Sequence, residues 1–598
     1  MSKYNTSYKS NYLKLESIMK RISLIHLITA IAIACFILSS CNPVEPPEPF
    51  GAIPSERQLE WHKLKYYAFI HFSPNTFTDM EWGFGDEAES VFNPTELDCR
   101  QWAKAAKDAG MEGIVITAKH HDGFCLWPTT TTEHSIKNSP YKNGKGDIIK
   151  ELQLACEEFG LKLGIYLSPW DRNHHLYGIP EYIDVYRTQL TELMTNYGEI
   201  FEFWMDGAMG GSGYYGGANE SRKIDNKVYY DWPNTWKIVR ELQPMAVMFS
   251  DGGPDIRWIG NEQGYARDPN WCTTKSNYFY AGIGGVNSEL ATGHENGDQW
   301  LPAEVNTSIR PGWFYHKSQD DQVKSLNQLI DNWYHSVGMN GNFILNVPPD
   351  QRGLFHENDV ARLKELRDYL DNAFSINLAK GKKTTATNTR GNSSEFNSKK
   401  AIDSDLDTYW ATDDSVHQAM FYIDLGSETK VNCVLLQEYI KLGQRVKKFS
   451  VQVLDNGEFK SAGSGITIGN RRLLKFKTVT TSKLRIYLYG RKTSLAISNI
   501  EVYRVPEMLG RPEISRNADG KIVISSDSPD PVYHFTTDGS EPGPDSPKFV
   551  DPYSFPQKGV VKAKAFVDNY SSSSGTSGII LFYKRCPSKK NFMRGTLS

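Results

Sequence analysis

At 598 residues the chain is too long for one hydrophobic core, and length alone sets an expectation of roughly three to four domains. With 39% hydrophobic and 23% charged residues it has the make-up of a soluble globular protein rather than a disordered or fibrous one. The formal net charge of -3 leaves no electrostatic case for nucleic acid or an anionic membrane surface as partner.

The first feature along the chain is a targeting signal. Lys20 and Arg21 follow Met19, an apolar run extends from Ile22 to Leu38, and Ser39, Ser40 and Cys41 come next. Leu38-Ser39-Ser40-Cys41 is similar to a bacterial lipobox, which implies cleavage before Cys41 and diacylation of its thiol. The run is shorter than the ~20 apolar residues of a membrane span, the alternative reading. Residues 1–41 then form a lipoprotein signal peptide, and residues 42–56, with Pro43, Pro46, Pro47 and Pro49, a stiff tether. The expected location is beyond the inner membrane, in the periplasm or at the outer membrane, with the lipid as the sole membrane contact. The remaining cysteines are scattered without metal-ligand spacing, and no disulfide framework is expected.

From 57 to 376, eight short apolar runs alternate with helix-period segments. The runs are 66–72, 113–118, 162–168, 200–206, 245–250, 257–261, 300–305 and 342–347. Trp102, Ala105, Ala106 and Ala109 share one helix face that ends at Gly110; Ile148, Leu152, Ala155, Cys156 and Phe159 share another that ends at Gly160. Further helices are expected near 181–197, 232–243, 319–337 and 355–373. Eight strand-helix units predict a (β/α)8-like TIM barrel, distorted where runs five and six lose their periodicity. An open doubly wound sheet is the alternative, but no glycine-rich nucleotide fingerprint supports it. After 377 short alternating β-type runs take over. They predict an all-β sandwich over 377–506, a small β-sandwich over 507–585 with Asp538-Gly539 as a hairpin turn, and a tail over 586–598. The expected fold is multidomain: a barrel followed by two all-β sandwiches.

Barrels of this kind carry their chemistry at strand C-terminal ends. Those ends bear His71, then Lys119-His120-His121-Asp122, Tyr166, Trp204-Met205-Asp206-Gly207, Asp251, Glu262, Glu304 and Asn346. Two carboxyl groups on one rim are what glycoside hydrolysis needs, one as nucleophile and one as acid/base, about 5–5.5 Å apart in a retaining enzyme. Asp206 is the candidate nucleophile, with a turn or helix-cap carboxylate as the structural alternative. Glu262 and Glu304 are the candidate acid/bases. The three histidines suit sugar hydroxyls. Zinc is the rival reading, made awkward because adjacent His120 and His121 point to opposite faces of a continuing strand.

These residues carry a family resemblance. Residues 57–376 resemble glycoside hydrolase family 29, the retaining α-L-fucosidases, through Ile70-His71-Phe72-Ser73-Pro74-Asn75-Thr76-Phe77, Glu81-Trp82-Gly83, Lys119-His120-His121-Asp122-Gly123-Phe124, Gly164-Ile165-Tyr166, Phe203-Trp204-Met205-Asp206-Gly207 and Leu345-Asn346-Val347-Pro348-Pro349-Asp350. The resemblance implies Asp206 as nucleophile, and His71, Glu81, Trp82, His120, His121, Tyr166 and Trp204 around the fucose. Arg257-Trp258-Ile259-Gly260-Asn261-Glu262 is similar to the acid/base segment of the subgroup that cuts α-1,3 and α-1,4 linkages, with Glu304 as the fallback. Trp313 is also similar to that subgroup and borders the pocket. The implied partners are fucosylated, Lewis-type glycans, and no cofactor is implied for catalysis.

Residues 377–505 resemble a discoidin-like (F5/8 type C) carbohydrate-binding module through Ala401-Ile402-Asp403-Ser404-Asp405-Leu406-Asp407-Thr408-Tyr409-Trp410 and Phe421-Tyr422-Ile423-Asp424-Leu425-Gly426. That resemblance implies a structural calcium ion on Asp403, Asp405, Thr408 and Glu501, against the plainer reading of a metal-free acidic turn. Residues 509–585 resemble the β-sandwich at the C-terminus of chitobiase-like enzymes, through Tyr533-His534-Phe535-Thr536-Thr537-Asp538-Gly539. Two other functions compete with this reading. A glycan-binding protein without catalysis is disfavoured because both carboxyl candidates are present. A β-N-acetylhexosaminidase is disfavoured because Asp206 is followed by Gly207 where such enzymes carry adjacent Asp-Glu.

Overall fold

The computed structural model describes residues 14, 16–23, 26, 44–507 and most of 512–581. The lipobox with Cys41 and the tail at 586–598 lie outside the described residues. Residues 1–47 and 48–598 are separate compact units. Among the described residues, no helix is long and apolar enough to cross a membrane.

Eight strands form a closed barrel: β1 Tyr66–Ile70, β2 Gly113–Lys119, β3 Lys162–Leu167, β4 Ile200–Trp204, β5 Val247–Ser250, β6 Ile256–Trp258, β7 Ala303–Ser308 and β8 Asn342–Asn346. Each pairs in parallel with its neighbours, and β1 closes on β8 with Phe69 opposite Asn346. Every residue of β1, β2, β4, β5, β7 and β8 is buried. That is why these runs read as near-continuous apolar stretches: one face fills the barrel and the other packs under helices.

The helices that lead into β2 and β3 show how local sequence sets their limits. α1 (Cys99–Asp108) starts at Asp98, whose side chain accepts from the Arg100 N–H. α2 (Ile148–Phe159) starts at Asp147, which accepts from the Lys150 N–H, and stops at Gly160 in the left-handed region at φ 63°. Further helices α3 (Tyr182–Asn196) and α4 (Trp232–Leu242) follow β3 and β4; α5 (Asn287–Thr292), α6 (Leu326–His335) and α7 (Glu357–Ala373) follow β6, β7 and β8.

The barrel is irregular at one place. β5 and β6 are joined by residues 251–255 alone, with no helix between them. Asp255 locks this short connection. Its carboxylate accepts from the Met248 N–H at 2.8 Å and pairs with Arg240 of α4 at 2.5 Å.

Residues 383–503 form antiparallel strands in the order 410–411, 496–503, 418–438, 472–490, 446–455 and 458–465, with 383–386 alongside 418–438. The long strand 418–438 breaks register between Asp424 and Thr429, which lets one sheet wrap a core of Trp410, Phe421, Val434, Phe449, Ile486 and Ile500. This region is seated on the barrel. Leu435, Leu473 and Tyr503 join the apolar cluster that holds Tyr334 of α6 and Ala373 of α7. Arg472 pairs with Asp268 at 2.7 Å, and Gln444 accepts from the Cys272 N–H at 2.8 Å. Both contacts fall on the excursion after β6, the segment that begins with Glu262. Beyond 512, antiparallel strands 532–536, 548–549, 559–567, 571–572 and 577–581 share a second sheet.

Candidate active site

The Asp206 carboxylate lies two residues past the end of β4, and its side chain is 25% exposed. The Ala208 N–H donates to its Oδ1 at 2.7 Å and the Tyr166 hydroxyl to its Oδ2 at 3.1 Å. Burial raises its pKa above the ordinary range, while these two donors oppose the rise by stabilising the charged form. Behind it stand three stacked rings: Tyr166 on Trp204 at 5.1 Å between centroids, and Trp204 on Phe249 at 4.1 Å.

Three histidines line the next part of the rim. β2 ends at Lys119, so the alternation that would separate His120 from His121 stops there, and the two rings lie 4.2 Å apart. Both rings can therefore face the same side of the rim, contrary to the expectation from strand alternation. The hydrogen-bond network fixes two of the tautomers. Asn346 Nδ2 donates to Ser308 Oγ and to the Trp313 carbonyl, both at 2.8 Å, so its Oδ1 accepts from His71 Nδ1–H at 2.8 Å. Ser168 spends its proton on the Trp170 carbonyl at 2.6 Å, so its Oγ accepts from His121 Nδ1–H at 2.8 Å. His121 Nε2 then lies 3.8 Å from Asp206 Oδ2. Burial pushes His71 and His121 down to about 3 and His120 well below its ordinary value. All three are neutral near pH 7 and offer ring nitrogens to hydroxyl groups. Among the described residues, no group of three or more His, Cys, Asp or Glu side chains is placed to hold a metal ion.

Lys119 faces away from this rim. Its Nζ is buried and donates to Asp171 at 3.2 Å, Tyr182 at 2.9 Å and Gln189 at 2.9 Å, anchoring the segment that presents the histidines.

Glu262 rises from the segment after β6 on the other side of the mouth. Its Oε2 accepts from Trp313 Nε1 at 3.3 Å. Burial raises its pKa, the Trp313 N–H opposes that, and the charges of Asp206 and Glu81 push it up further. Glu81 serves as a staple. It accepts from the Trp313 N–H at 2.8 Å, the Phe314 N–H at 3.2 Å and His316 Nε2 at 2.6 Å, which fixes the loop carrying Trp313. Gly312 leaves room for it, since a Cβ there would stand 2.3 Å from Glu81 Oε1. Trp82 is 49% exposed at the rim, edge-on to His121.

Glu304 lies elsewhere. It is the second residue of β7, fully buried deep in the barrel, where it accepts from Trp204 Nε1 at 2.8 Å and from the Tyr67 hydroxyl. It is buried together with Glu202, another carboxyl of the barrel interior. The residues expected to hold calcium form a self-closed turn. Asp403 accepts from the Asp405 N–H at 3.0 Å and from Thr408 Oγ1 at 2.8 Å, and Glu501 accepts from the Tyr503 hydroxyl.

A model of the alpha-L-fucosidase family matches residues 50–373, more than half of the chain. The chain belongs to the alpha-L-fucosidase family, glycoside hydrolase family 29. The fucosidase is a hydrolase whose barrel is followed by an F5/8 type C domain over 383–502 and a chitobiase/beta-hexosaminidase C-terminal domain over 515–577. It is 41% identical over 475 residues to alpha-L-fucosidase 1 of Arabidopsis thaliana, covering 78% of this chain and 90% of the relative. It superposes on a family 29 member from an unknown rumen bacterium with TM-score 0.70 at 39% identity, covering 88% of this chain and 94% of that one. A family 29 fucosidase of Ruminococcus gnavus, solved in complex with fucose, gives TM-score 0.70 at 32% identity over 78% of this chain and 97% of that one.

Most rim residues belong to recognisable sequence segments, whereas their supports do not. Ser168 and Ser308 orient the histidine network without belonging to any charged motif, and Asp251 stood at a strand end without an assigned role.

Proposed function

We propose that this fucosidase is an exo-acting, retaining enzyme that removes terminal α-1,3- and α-1,4-linked fucose from branched, Lewis-type glycans, and that it works as an exported lipoprotein anchored through Cys41. Asp206 attacks the anomeric carbon as the glycosidic C–O bond breaks, and Glu262 donates its proton to the leaving oxygen. Glu262, now a carboxylate, takes a proton from water, and that water displaces Asp206 from the sugar. The observation that carries this reading is the asymmetry between the two carboxyls. Asp206 is held by two donors that favour its charge, whereas Glu262 stands exposed at the rim beside Trp313, its pKa raised by partial desolvation and by neighbouring negative charge.

The test uses fucosylated oligosaccharides of defined linkage, with the product followed by NMR. The first-formed fucose is expected as the α anomer, and Asp206→Ala and Glu262→Ala are each expected to lose at least ~10²-fold in kcat. Glu304→Gln is expected to keep activity within about 10-fold. A β-configured first product defeats the retaining mechanism, and an active Glu262→Ala beside an inactive Glu304→Gln reverses the acid/base assignment. Retention in the soluble fraction by both the wild type and Cys41→Ala defeats the lipid anchor.

A further inference from the structure

A third carboxyl stands in the same mouth. Asp251 follows β5 directly, so its stave lies between the staves of Asp206 and Glu262. It is partly exposed and packs flat on Gly207, the residue after the nucleophile: a Cβ at Gly207 would lie 2.1 Å from Asp251 Oδ2 and 2.7 Å from its Oδ1. Asp251 Oδ2 also accepts from the Gly282 N–H at 3.1 Å, and the Gly282 carbonyl accepts from Asn226 Nδ2 at 3.0 Å. One side chain thus joins the loop of the nucleophile to the loop near 282 that follows β6.

The arrangement of staves says what it faces. His71, His120, His121, Tyr166 and Trp204 come from β1 to β4 and surround one side of Asp206. Glu262, the proposed proton donor to the leaving oxygen, comes from the far side, after β6. With Glu262 in that role, the departing sugar lies over β5 and β6, where Asp251 is partly exposed. Among the described residues its protein donor is the Gly282 N–H, which falls on Oδ2. The other oxygen is left for a hydroxyl.

We infer that Asp251 is a specificity-determining residue that binds a hydroxyl of the leaving-group sugar and so positions branched glycans for cleavage. The inference rests on the proposed reaction and adds a subsite to it. Burial and the Asp206 charge push the Asp251 carboxyl up to about 7, which brings its protonated form, a donor as well as an acceptor, within reach near neutral pH.

The experiment compares two substrates that share the fucose but not the leaving group: a fucosylated trisaccharide and α-L-fucosyl fluoride, which has no leaving-group sugar. Asp251→Ala is expected to lower kcat/KM on the trisaccharide at least ~10²-fold, and on the fluoride at least ~10-fold less than that. Asp251→Asn, which keeps an acceptor for Gly282 and a donor for the sugar, is expected to recover most of the trisaccharide activity. Equal losses on both substrates make Asp251 a loop brace and overturn the inference while leaving the fucosidase mechanism intact. Unchanged activity on both also overturns it. A wild-type protein that cleaves neither substrate removes the reaction on which the inference stands.

Discussion

The Tyr166 hydroxyl donates to Asp206 Oδ2 at 3.1 Å, so the ring that stacks on Trp204 also sets the charge of the nucleophile. Packing and electrostatics are joined here in one side chain. Tyr166→Phe keeps the stack and deletes the donor. A hydrogen bond to a charged group contributes about 1.5–3 kcal/mol, so kcat/KM is expected to fall roughly 10- to 100-fold. The lost donor favoured the carboxylate, so the Asp206 pKa rises further and the acid limb of the pH profile moves to higher pH. A pH–rate series on both proteins reads this directly, and an acid limb that stays put contradicts it.

The second prediction concerns the opposite limb. Trp313 Nε1 donates to Glu262 Oε2 at 3.3 Å and opposes the rise that burial imposes on that carboxyl. Trp313→Phe keeps an aromatic wall without the N–H. The Glu262 pKa is then expected to rise, and because Glu262 must begin protonated, the basic limb of kcat/KM moves to higher pH. Gly312→Ala acts on the same loop by collision with Glu81 and is expected to raise KM more than it lowers kcat. Steady-state kinetics across pH separate the two effects.

The barrel was legible because its strands are buried on both faces and its helices end at real caps. Gly110 and Gly160 stand in the left-handed region just where the two helix faces were expected to end. The distortion at β5–β6 was visible only as missing periodicity, because a helix that is absent leaves no positive pattern. Glu304 was read as a rim residue because spacing shows which strand carries it and not how deep it sits. The roles of Ser168, Asn346 and Asp251 arise from contacts between separate staves, which no local pattern encodes. Glu81 was named through the family resemblance as a sugar ligand, yet here its oxygens take the loop of Trp313 first.

The Glu202–Glu304 pair gives a third prediction. The two carboxyls are buried together inside the barrel, and Glu202 is the one held protonated. Its pKa is raised well above the usual carboxyl range by burial and by Glu304. The folded state keeps a proton that the unfolded state releases as pH passes its ordinary value, so this group costs stability as pH rises. Glu202→Gln supplies an N–H in place of the O–H and is expected to gain relative stability between pH 5 and pH 8 as measured by denaturant unfolding, with the midpoints converging toward about pH 4. Glu304→Leu instead strands the Trp204 N–H and the Tyr67 hydroxyl and is expected to cost about 2–4 kcal/mol. Similar losses from both variants at every pH would exclude a protonated Glu202.

The fourth prediction follows from the histidines. His71 and His121 are both held down to about 3 by burial. In the unfolded chain each takes up a proton as pH falls through about 6.5, while in the folded protein each stays neutral until about pH 3, so the stability that they contribute above 6.5 is lost on acidification. Each contributes a slope of about 1.4 kcal/mol per pH unit across that window. His121→Gln keeps a donor for Ser168 without the titration. Its unfolding free energy is expected to fall less steeply than that of the wild type between pH 6 and pH 4, by about one histidine's slope. Because the fucosidase also needs neutral rings to receive sugar hydroxyls, activity and stability should decline over different pH ranges: stability from about 6.5 downward as the unfolded chain charges, and activity only once the folded site itself is protonated. Parallel unfolding and activity curves would show that the rings titrate in the folded protein near their ordinary value.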